Sequence, residues 1–329
     1  MQSPILTIAI PTYNRSDCLA LLLDTLCAEF TQHPALNPLV HVLVLDNAST
    51  DQTLTVARAY ADRLQHLEVI KHPENGGADA NILSTIHYSS SDHVWIMGDD
   101  DLPMSGLLSK IIDFLQASTP ALLYLPAKFI NGPLNNRMES IQSEFGFTTG
   151  SARALLIQST YSVTFISSWI FHRKAYLEAG KNNAEDLLGS NLVQLDWIYS
   201  LLSGSGRFCW TTETCVLARA GNTGGYSILN TFCNNLPRLS AQMLPPDFSA
   251  LIRHSTLHNL LPGMIWQTRT GSLGLFSDES TPQIVENITE HFGSGWFVSW
   301  VLMPILIWPT RMTLLPLIFW KIYKRRPFR

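Results

Sequence analysis

The sequence predicts an α/β fold: a mostly parallel central sheet covered by helices on both faces, with an apolar C-terminal helical extension. Three observations lead there. The apolar runs of the first 125 residues are nearly continuous rather than alternating, the pattern of strands buried on both faces. Segments with apolar residues at helical spacing separate these runs. The last 35 residues then change character and carry almost no charge.

Ile5–Ile10 is the first strand and stops at Pro11. Cys18–Phe30 follows as a helix with Leu19, Leu22, Leu23, Leu26 and Phe30 along one face. Leu39–Leu45 is the second strand, ending at Asp46; Thr53–Leu64 is helix and Leu67–Ile70 a short strand. Asn81–Tyr88 and Leu107–Leu115 read as helices, His93–Met97 and Ala121–Leu125 as strands. In such sheets ligands sit at the carboxyl ends of the strands, so chemistry is expected at Pro11–Arg15, Asp46–Asp51 and Gly98–Asp101. Asn131–Gly150 is rich in Asn, Gly and Ser and reads as a long loop. Thr164–Phe171 reads as strand, Asn191–Leu202 as helix and Phe208–Ala218 as strand, followed by turn-rich Gly221–Tyr226. This divides the chain into residues 1–125 and 126–230, two halves of one domain, and a helical region at 231–329.

Charged residues make up 15% of the 329, against about 25% in ordinary soluble proteins. With 46% hydrophobic residues the chain is not disordered, and a net charge of −4 leaves no basic footprint for nucleic acid. The five cysteines, Cys18, Cys27, Cys209, Cys215 and Cys233, are odd in number and lack C-x-x-C spacing. That argues against a disulfide framework or zinc site and suits a reducing cytosol. The N-terminus has no basic segment or small-residue cleavage site and does not read as a signal peptide.

The sharpest motif is GDDDLP at Gly98–Pro103. Three adjacent carboxylates at a strand end repel one another unless a cation sits among them, and oxygen-rich clusters suit Mg²⁺ or Mn²⁺. An exposed acidic turn or a helix cap is the plain alternative. In LVLDNASTDQT, Asp46 stands at a strand tip where it could accept hydrogen bonds from a nucleobase, while Asp51 suits a helix cap. IPTYNR offers Thr12 and Tyr13 beside a nucleoside, or simply a strand-to-helix turn capped by Asn14 or Ser16. In HPENGGADAN, Gly76 and Gly77 permit close backbone approach, but neither a dinucleotide fingerprint nor a P-loop is present.

Between His291 and Lys321 the only charge is Arg311. Trp296, Trp300, Trp308 and Trp320 lie there, interrupted by Pro304, Pro309 and Pro316, and Lys321, Lys324, Arg325, Arg326 and Arg329 follow. Trp296–Trp308 is short for a bilayer that needs about 20 apolar residues. Tryptophans with a terminal cationic cluster suit a segment lying in the headgroup region. A core helix, a contact in a homodimer and a spanning hairpin are the alternatives.

In order and spacing, IAIPTYNR, VLVLDNASTDQT, ENGGADANI and VWIMGDDDLP resemble glycosyltransferase family 2, which has the GT-A fold. The resemblance covers about the first 120 residues. GDDD together with FISSWIFHRK at Phe165–Lys174 resembles the abequosyltransferase-like branch of bacterial O-antigen enzymes. The resemblance implies an inverting, metal-dependent transferase. It would move a sugar from a nucleotide-diphosphate-sugar to a saccharide hydroxyl, with a polyprenyl-linked O-antigen or other surface-polysaccharide intermediate as acceptor. It places the protein in the cytoplasm, attached peripherally through its tail to the inner face of the cytoplasmic membrane. It makes residues 1–125 the donor-binding half and 126–230 the acceptor and base half.

By the same resemblance, Thr12, Tyr13 and Asp46 hold the base and ribose, and Pro11, Arg15, Asn75, Gly77 and Asn81 complete the substrate-binding set. Laying the family pattern D-x-D-D over Gly98–Asp101 puts Gly98 at its first Asp. Asp100 is then the principal ligand of Mg²⁺ or Mn²⁺, with Asp101 supporting and Asp99 facing the ribose. The family's general base is the Asp of an E-D-W-like motif opening a helix. Asp196 in LVQLDWIYSLL matches, although Leu195 replaces the Glu; Glu185-Asp186 is a competing pair, and a helix-surface carboxylate is the plain reading of Asp196. Arg219 and Asn222 fall where a diphosphate contact is often placed. A sugar nucleotidyltransferase is the rival enzyme class but would want glycines after the first strand. A processive synthase would show Q-x-x-R-W, which is absent. An inactive membrane-associated nucleotide-sugar-binding protein remains a third reading.

Overall fold

Strand β1, Leu6–Thr12, is buried on both faces, and its apolar run leaves no side that water could wet. Alternation then proceeds as α1 (Ser16–Gln32), β2 (Val40–Asp46), α2 (Thr53–Ala59), β3 (Leu67–Lys71), α3 (Ala78–Tyr88) and β4 (His93–Ile96). The computed structural model describes residues 4–132, 134, 139–142, 144–179, 184–220, 225–271 and 277–324. Beyond β4 come β5 (Leu102–Pro103), α4 (Leu107–Ala117), β6 (Leu122–Tyr124), β7 (Ala127–Ile130), β8 (Thr148–Gly150), α5 (Ala152–Ser159) and β9 (Trp169–His172). They are followed by α6 (Arg173–Glu178), α7 (Leu195–Leu202), β10 (Phe208–Trp210) and β11 (Val216–Arg219).

Among the described residues eight strands form one sheet in the order β3-β2-β1-β4-β9-β6-β10-β8, and β5-β11-β7 form a second, small one. The first four strands are parallel, β6 and β10 are parallel to each other, and β9 runs against both its neighbours. The chain builds outward from β1 to β2 and β3, then crosses back to lay β4 on the other side of β1. The strand order therefore reverses between β1 and β4, and such a reversal opens a crevice at the carboxyl ends. Pro11 sits inside β1 at no cost to the ladder, because β4 stops pairing at Ala9 on the side that Pro11 faces.

Four segments differ from the sequence expectation: Thr53–Leu64 is helix only over Thr53–Ala59, Asn191–Leu202 only over Leu195–Leu202, and two expected strands are broken. Phe208–Ala218 is two strands in different sheets, because the polar turn at Thr211–Glu213, closed by Glu213 N–H on Thr211 Oγ1 at 3.3 Å, breaks the run. In Thr164–Phe171 only Trp169 onward is strand; Ile166–Ser168 forms a 3₁₀ turn in which the Ser167 hydroxyl meets Gly98 N–H and Asp101. The loop Asn131–Gly150 contains β8, and part of it lies outside the described residues.

The chain forms two compact units, Met1–Gly189 with Val193–Ala220, and Ser190–Leu192 with Gly221–Arg329. The second unit is helical: α8 (Ile228–Asn230), α9 (Leu236–Met243), α10 (Pro246–Ser255), α11 (Leu261–Thr270), α12 (Thr281–Phe292), α13 (Met303–Ile307) and α14 (Leu314–Lys324). Among the described residues no helix is long and apolar enough to cross a membrane.

One buried histidine ties sheet stability to pH. His93 is 1% exposed on β4, its ring edge meets His172 at 4.9 Å, and Nε2–H donates to the Pro120 carbonyl at 3.2 Å. Burial lowers its pKa to about 4, with His172 adding to the effect. Below pH 6.5 the unfolded imidazole is protonated while the folded one stays neutral until about pH 4. Stability therefore falls as pH drops across that window, by about 3 kcal/mol at 1.36 kcal/mol per unit. Urea unfolding between pH 4 and 7 should show this slope, and His93→Leu should flatten it. An unchanged slope in the variant would refute the assignment.

Candidate active site

Strand ends and loops at the β1/β4 crevice carry the polar residues singled out from the sequence. Thr12 closes β1 and pairs in register with Asp46 at the end of β2. Its hydroxyl crosses the crevice and donates to Asp99 Oδ2 at 2.7 Å. Arg15, at the start of α1, sends Nη1 to 3.0 Å from Asp100 Oδ2 and 3.6 Å from Asp99 Oδ1. Asp101 turns the other way. Ser167 Oγ–H donates to its Oδ2 at 2.5 Å, and the Arg219 backbone N–H also reaches it. Burial lifts Asp99 to about 7, opposed by Arg15 and the Thr12 hydrogen bond. Asp101 is raised well above the ordinary carboxylate range, first by burial and then by the charge of Asp100.

The geometry explains the glycine. A Cβ on Gly98 would come within 2.8 Å of Asp101 Oδ2 and 3.4 Å of Ser167 Oγ. Gly98 N–H itself donates to Ser167 Oγ at 2.8 Å. A side chain at position 98 would require the Asp101 carboxylate to shift.

The neighbouring loops are stitched together by side-chain amides. Asn14, at φ +51°, accepts from Thr50 N–H at 2.8 Å and Asp51 N–H at 3.3 Å, joining the β1 and β2 loops. Asp51 accepts from Thr53 N–H at 2.9 Å in a local turn just ahead of α2, whose N-cap position is Gln52 rather than Asp51. Asp46 is fully buried and accepts from Ser49 N–H at 3.3 Å. Asn47 donates to Asn75 Oδ1 and the Gly77 carbonyl and accepts from Gly76 N–H, so it fixes the ENGG loop. Gly77, at φ +87°, opens α3. Asn81 donates to Leu45 and Thr12 carbonyls, and its own Oδ1 is buried without a partner. Tyr13 is 40% exposed beside the crevice, and Pro11 lies within β1. Arg219 ends β11 with its side chain on Cys18 Sγ at 3.2 Å.

Asp196 occupies a different setting, in the first turn of α7 with no exposed surface. Tyr176 Oη–H donates to its Oδ2 at 2.5 Å. Burial and the Asp196 carboxylate together raise the Tyr176 pKa, so the phenol keeps its proton. Asp186 lies on a separate 3₁₀ turn, Ala184–Leu187, and Asn222 falls outside the described residues.

Among the described residues no three acidic, His or Cys side chains form a ready metal cage. The donor set fits a metal bound in the manner of Mg²⁺, by one or two carboxylates with substrate oxygens completing the shell. Asp99 and Asp100 suit that use, because one oxygen of each already converges on a single cationic atom, Arg15 Nη1. Asp101 is committed to Ser167 and the Arg219 amide. Ser167, Asn47 and Tyr176 are site residues that the sequence reading missed, and Asn14, expected as a helix cap, instead ties the β1 loop to the β2 loop. Their partners lie 20 to 69 positions away, beyond any local signal.

The class thus defined is a doubly wound α/β protein with an acidic ligand crevice at the switch point of its sheet. The model of the family Glycosyl transferase family 2 matches residues 7–179, and the chain belongs to that family. Abequosyltransferase RfbV of Salmonella typhimurium (strain LT2) is 26% identical over 120 residues, which are 36% of this chain and 35% of that protein. The chain therefore matches about a third of that relative's length. Among solved structures, S. aureus TarS 1-349 in complex with UDP-GlcNAc superposes with a TM-score of 0.61 at 16% identity, covering 98% of this chain and 93% of that one. Mannosyltransferase PcManGT from Pyrobaculum calidifontis, in complex with GDP-Man and Mn²⁺, gives 0.53 at 16% identity, covering 98% and 88%. These likenesses establish the GT-A fold.

Ser167→Ala should test how the acidic turn is held. It removes a donor from buried Asp101 and an acceptor from Gly98 N–H. Leaving a buried donor or acceptor without its partner costs about 1–3 kcal/mol, so stability should fall by about 2 kcal/mol. Chemical denaturation showing no loss would mean that Asp101 does not depend on this hydroxyl.

Proposed function

We propose that the protein is a glycosyltransferase that takes a sugar from a nucleotide-diphosphate-sugar and passes it to a hydroxyl of a saccharide acceptor. The observation that carries this reading is the crevice where Thr12, Asp46, Asp99 and Asp100 meet at the ends of β1, β2 and β4. Family membership supports the reaction type. Thr12, Tyr13 and Asp46 face the base and ribose, with Asn75, Gly77 and Asn81 shaping the floor. Arg219 and Arg15 stand toward the diphosphate.

Asp100 would be the principal ligand of Mg²⁺ or Mn²⁺ with Asp99 beside it, although the family register puts Asp99 toward the ribose; Asp101, the expected supporting ligand, accepts from Ser167 and the Arg219 amide and holds the turn. When bound, the metal supplies positive charge for the developing nucleoside-diphosphate leaving group. Asp196 acts as general base on the acceptor hydroxyl, in a single displacement that inverts the anomeric carbon. Its carboxylate is engaged by Tyr176 Oη–H, so this role requires the acceptor hydroxyl to replace or join that donor. The acceptor is a polyprenyl-linked intermediate of O-antigen or another surface polysaccharide. The likeness to an abequosyltransferase over a third of the chain favours this class. The work is done at the inner face of the cytoplasmic membrane, consistent with free cysteines among the described residues.

Thermal-shift titration with CDP-, UDP-, GDP- and dTDP-sugars, with and without Mn²⁺, should reveal one metal-dependent donor. Binding of none would overturn the reading in favour of a non-enzymatic role. Asp100→Ala should abolish transfer and metal-dependent donor binding. Asp196→Asn should keep donor binding and lower kcat by about 10²–10⁴-fold, the range of a general base; unchanged kcat would remove Asp196 from the chemistry. NMR of the product's anomeric signal should show inversion.

A further inference from the structure

Helices at a protein surface ordinarily show water a polar face, and α14 does not. Its inward side is Leu317 and Trp320, both buried. Trp320 Nε1–H donates to the His258 carbonyl at 2.7 Å, and its ring lies so close to Gly263 that a Cβ there would come within 2.9 Å. Its outward side is Leu315, Ile318, Phe319 and Ile322, at helical spacing, with Leu315 77% exposed. The preceding segment repeats the pattern. Val301, Leu302 and Ile305 are buried, whereas Trp296, Trp300 and Ile307 are exposed, Trp300 at 73%. These last three recur at intervals of four and seven residues, one side of a helix.

The two exposed sets adjoin. Trp296 lies edge-on to Phe319 at 6.2 Å and to Tyr323 at 5.9 Å. The turn between the helices is fixed, since the Arg269 guanidinium donates to the carbonyls of Ile305 and Trp308. The apolar face is therefore held outward by packing and hydrogen bonds on its inner side. The segment's sequence carries charge of one sign: from Trp296 to Arg329 there are six cations, Arg311, Lys321, Lys324, Arg325, Arg326 and Arg329, and no Asp or Glu.

From this we infer that the face formed by Trp296, Trp300, Leu315, Ile318, Phe319 and Ile322 is a docking surface for an anionic lipid bilayer. The helices lie in the headgroup plane with these side chains inserted. The bilayer is favoured over a protein partner by the pairing of exposed tryptophans with an acid-free cationic segment. Tryptophan settles at the membrane–water interface, and each nearby Lys or Arg adds attraction to anionic lipid. No helix described here is long enough to cross, so the contact is shallow. This inference does not depend on the donor or on the reaction.

Flotation of the full chain with vesicles of phosphatidylcholine and 30% phosphatidylglycerol, against phosphatidylcholine alone, tests it. Wild-type protein should float with the anionic vesicles at least tenfold more than with neutral ones, and less at high salt. The variant Trp300→Glu, Leu315→Glu, Ile318→Glu changes only exposed positions. It should lose at least tenfold in binding at an unchanged melting temperature. Brominated lipid should also quench tryptophan fluorescence in the wild type, and less in Trp300→Phe, a readout that stands even if the triple variant unfolds. Equal flotation of wild type and triple variant, or absence of quenching, would overturn the inference. So would a wild-type dimer that ignores vesicles and is broken by the triple change, since the face would then be a contact between two copies.

Discussion

Holding three consecutive carboxylates just past the end of β4, with Asp99 and Asp101 buried, is the constraint around which the crevice is built. Repulsion and desolvation both oppose it. The chain answers with partners for each acid, drawn from different parts of the fold. Thr12 comes from β1 for Asp99, Arg15 from the start of α1 for Asp100, and Ser167 with the Arg219 amide for Asp101. The strand order must therefore bring β1 beside β4, and the second sheet must bring β11 against β5. Gly98 follows from the same constraint, because the space its side chain would need holds the Asp101 carboxylate.

Much of this was legible in the sequence, for a physical reason. A parallel sheet buries both faces, so its strands are written as apolar runs that end abruptly, and the residues after them fall at the ligand edge. That logic located Thr12, Asp46 and the acidic turn. Patterns of this kind carry information about immediate neighbours only. Ser167 lies in a stretch whose apolar residues read as strand, and nothing local marks its hydroxyl as the partner of Asp101, 66 positions away. The division of labour among the three acids was opaque for the same reason. The family pattern supplies a register, but which carboxylates share a cation depends on where Arg15 stands. The split of Phe208–Ala218 depends on a single polar turn that the flanking apolar residues conceal.

The two compact units account for the shortage of charge in different ways. In the first, charge is absent where strands are covered on both sides, and what remains is concentrated at strand ends. In the second, apolar side chains face outward as well as inward, so the low charge there describes surface, not core. An average over the chain merges the two. Only solvent exposure separates Leu317, which packs inside, from Leu315 two residues earlier, which does not.

Electrostatics also constrain what the crevice can receive. Arg15 sets one guanidinium nitrogen against both Asp99 and Asp100. Two adjacent carboxylates repel an anionic diphosphate unless one is protonated; burial first, and to a smaller degree the charge of Asp100, raises the Asp99 pKa against the pull of Arg15 and Thr12. Protonation would relieve the repulsion at the cost of the acid's ability to bind a cation. A divalent ion relieves it without that cost and adds attraction for the diphosphate itself. The way oxygens of Asp99 and Asp100 already converge on one cationic nitrogen is the geometry that such an ion would use. The same charge balance argues against a donor that lacks a phosphate, since a neutral ligand would leave the carboxylates as poorly compensated as before.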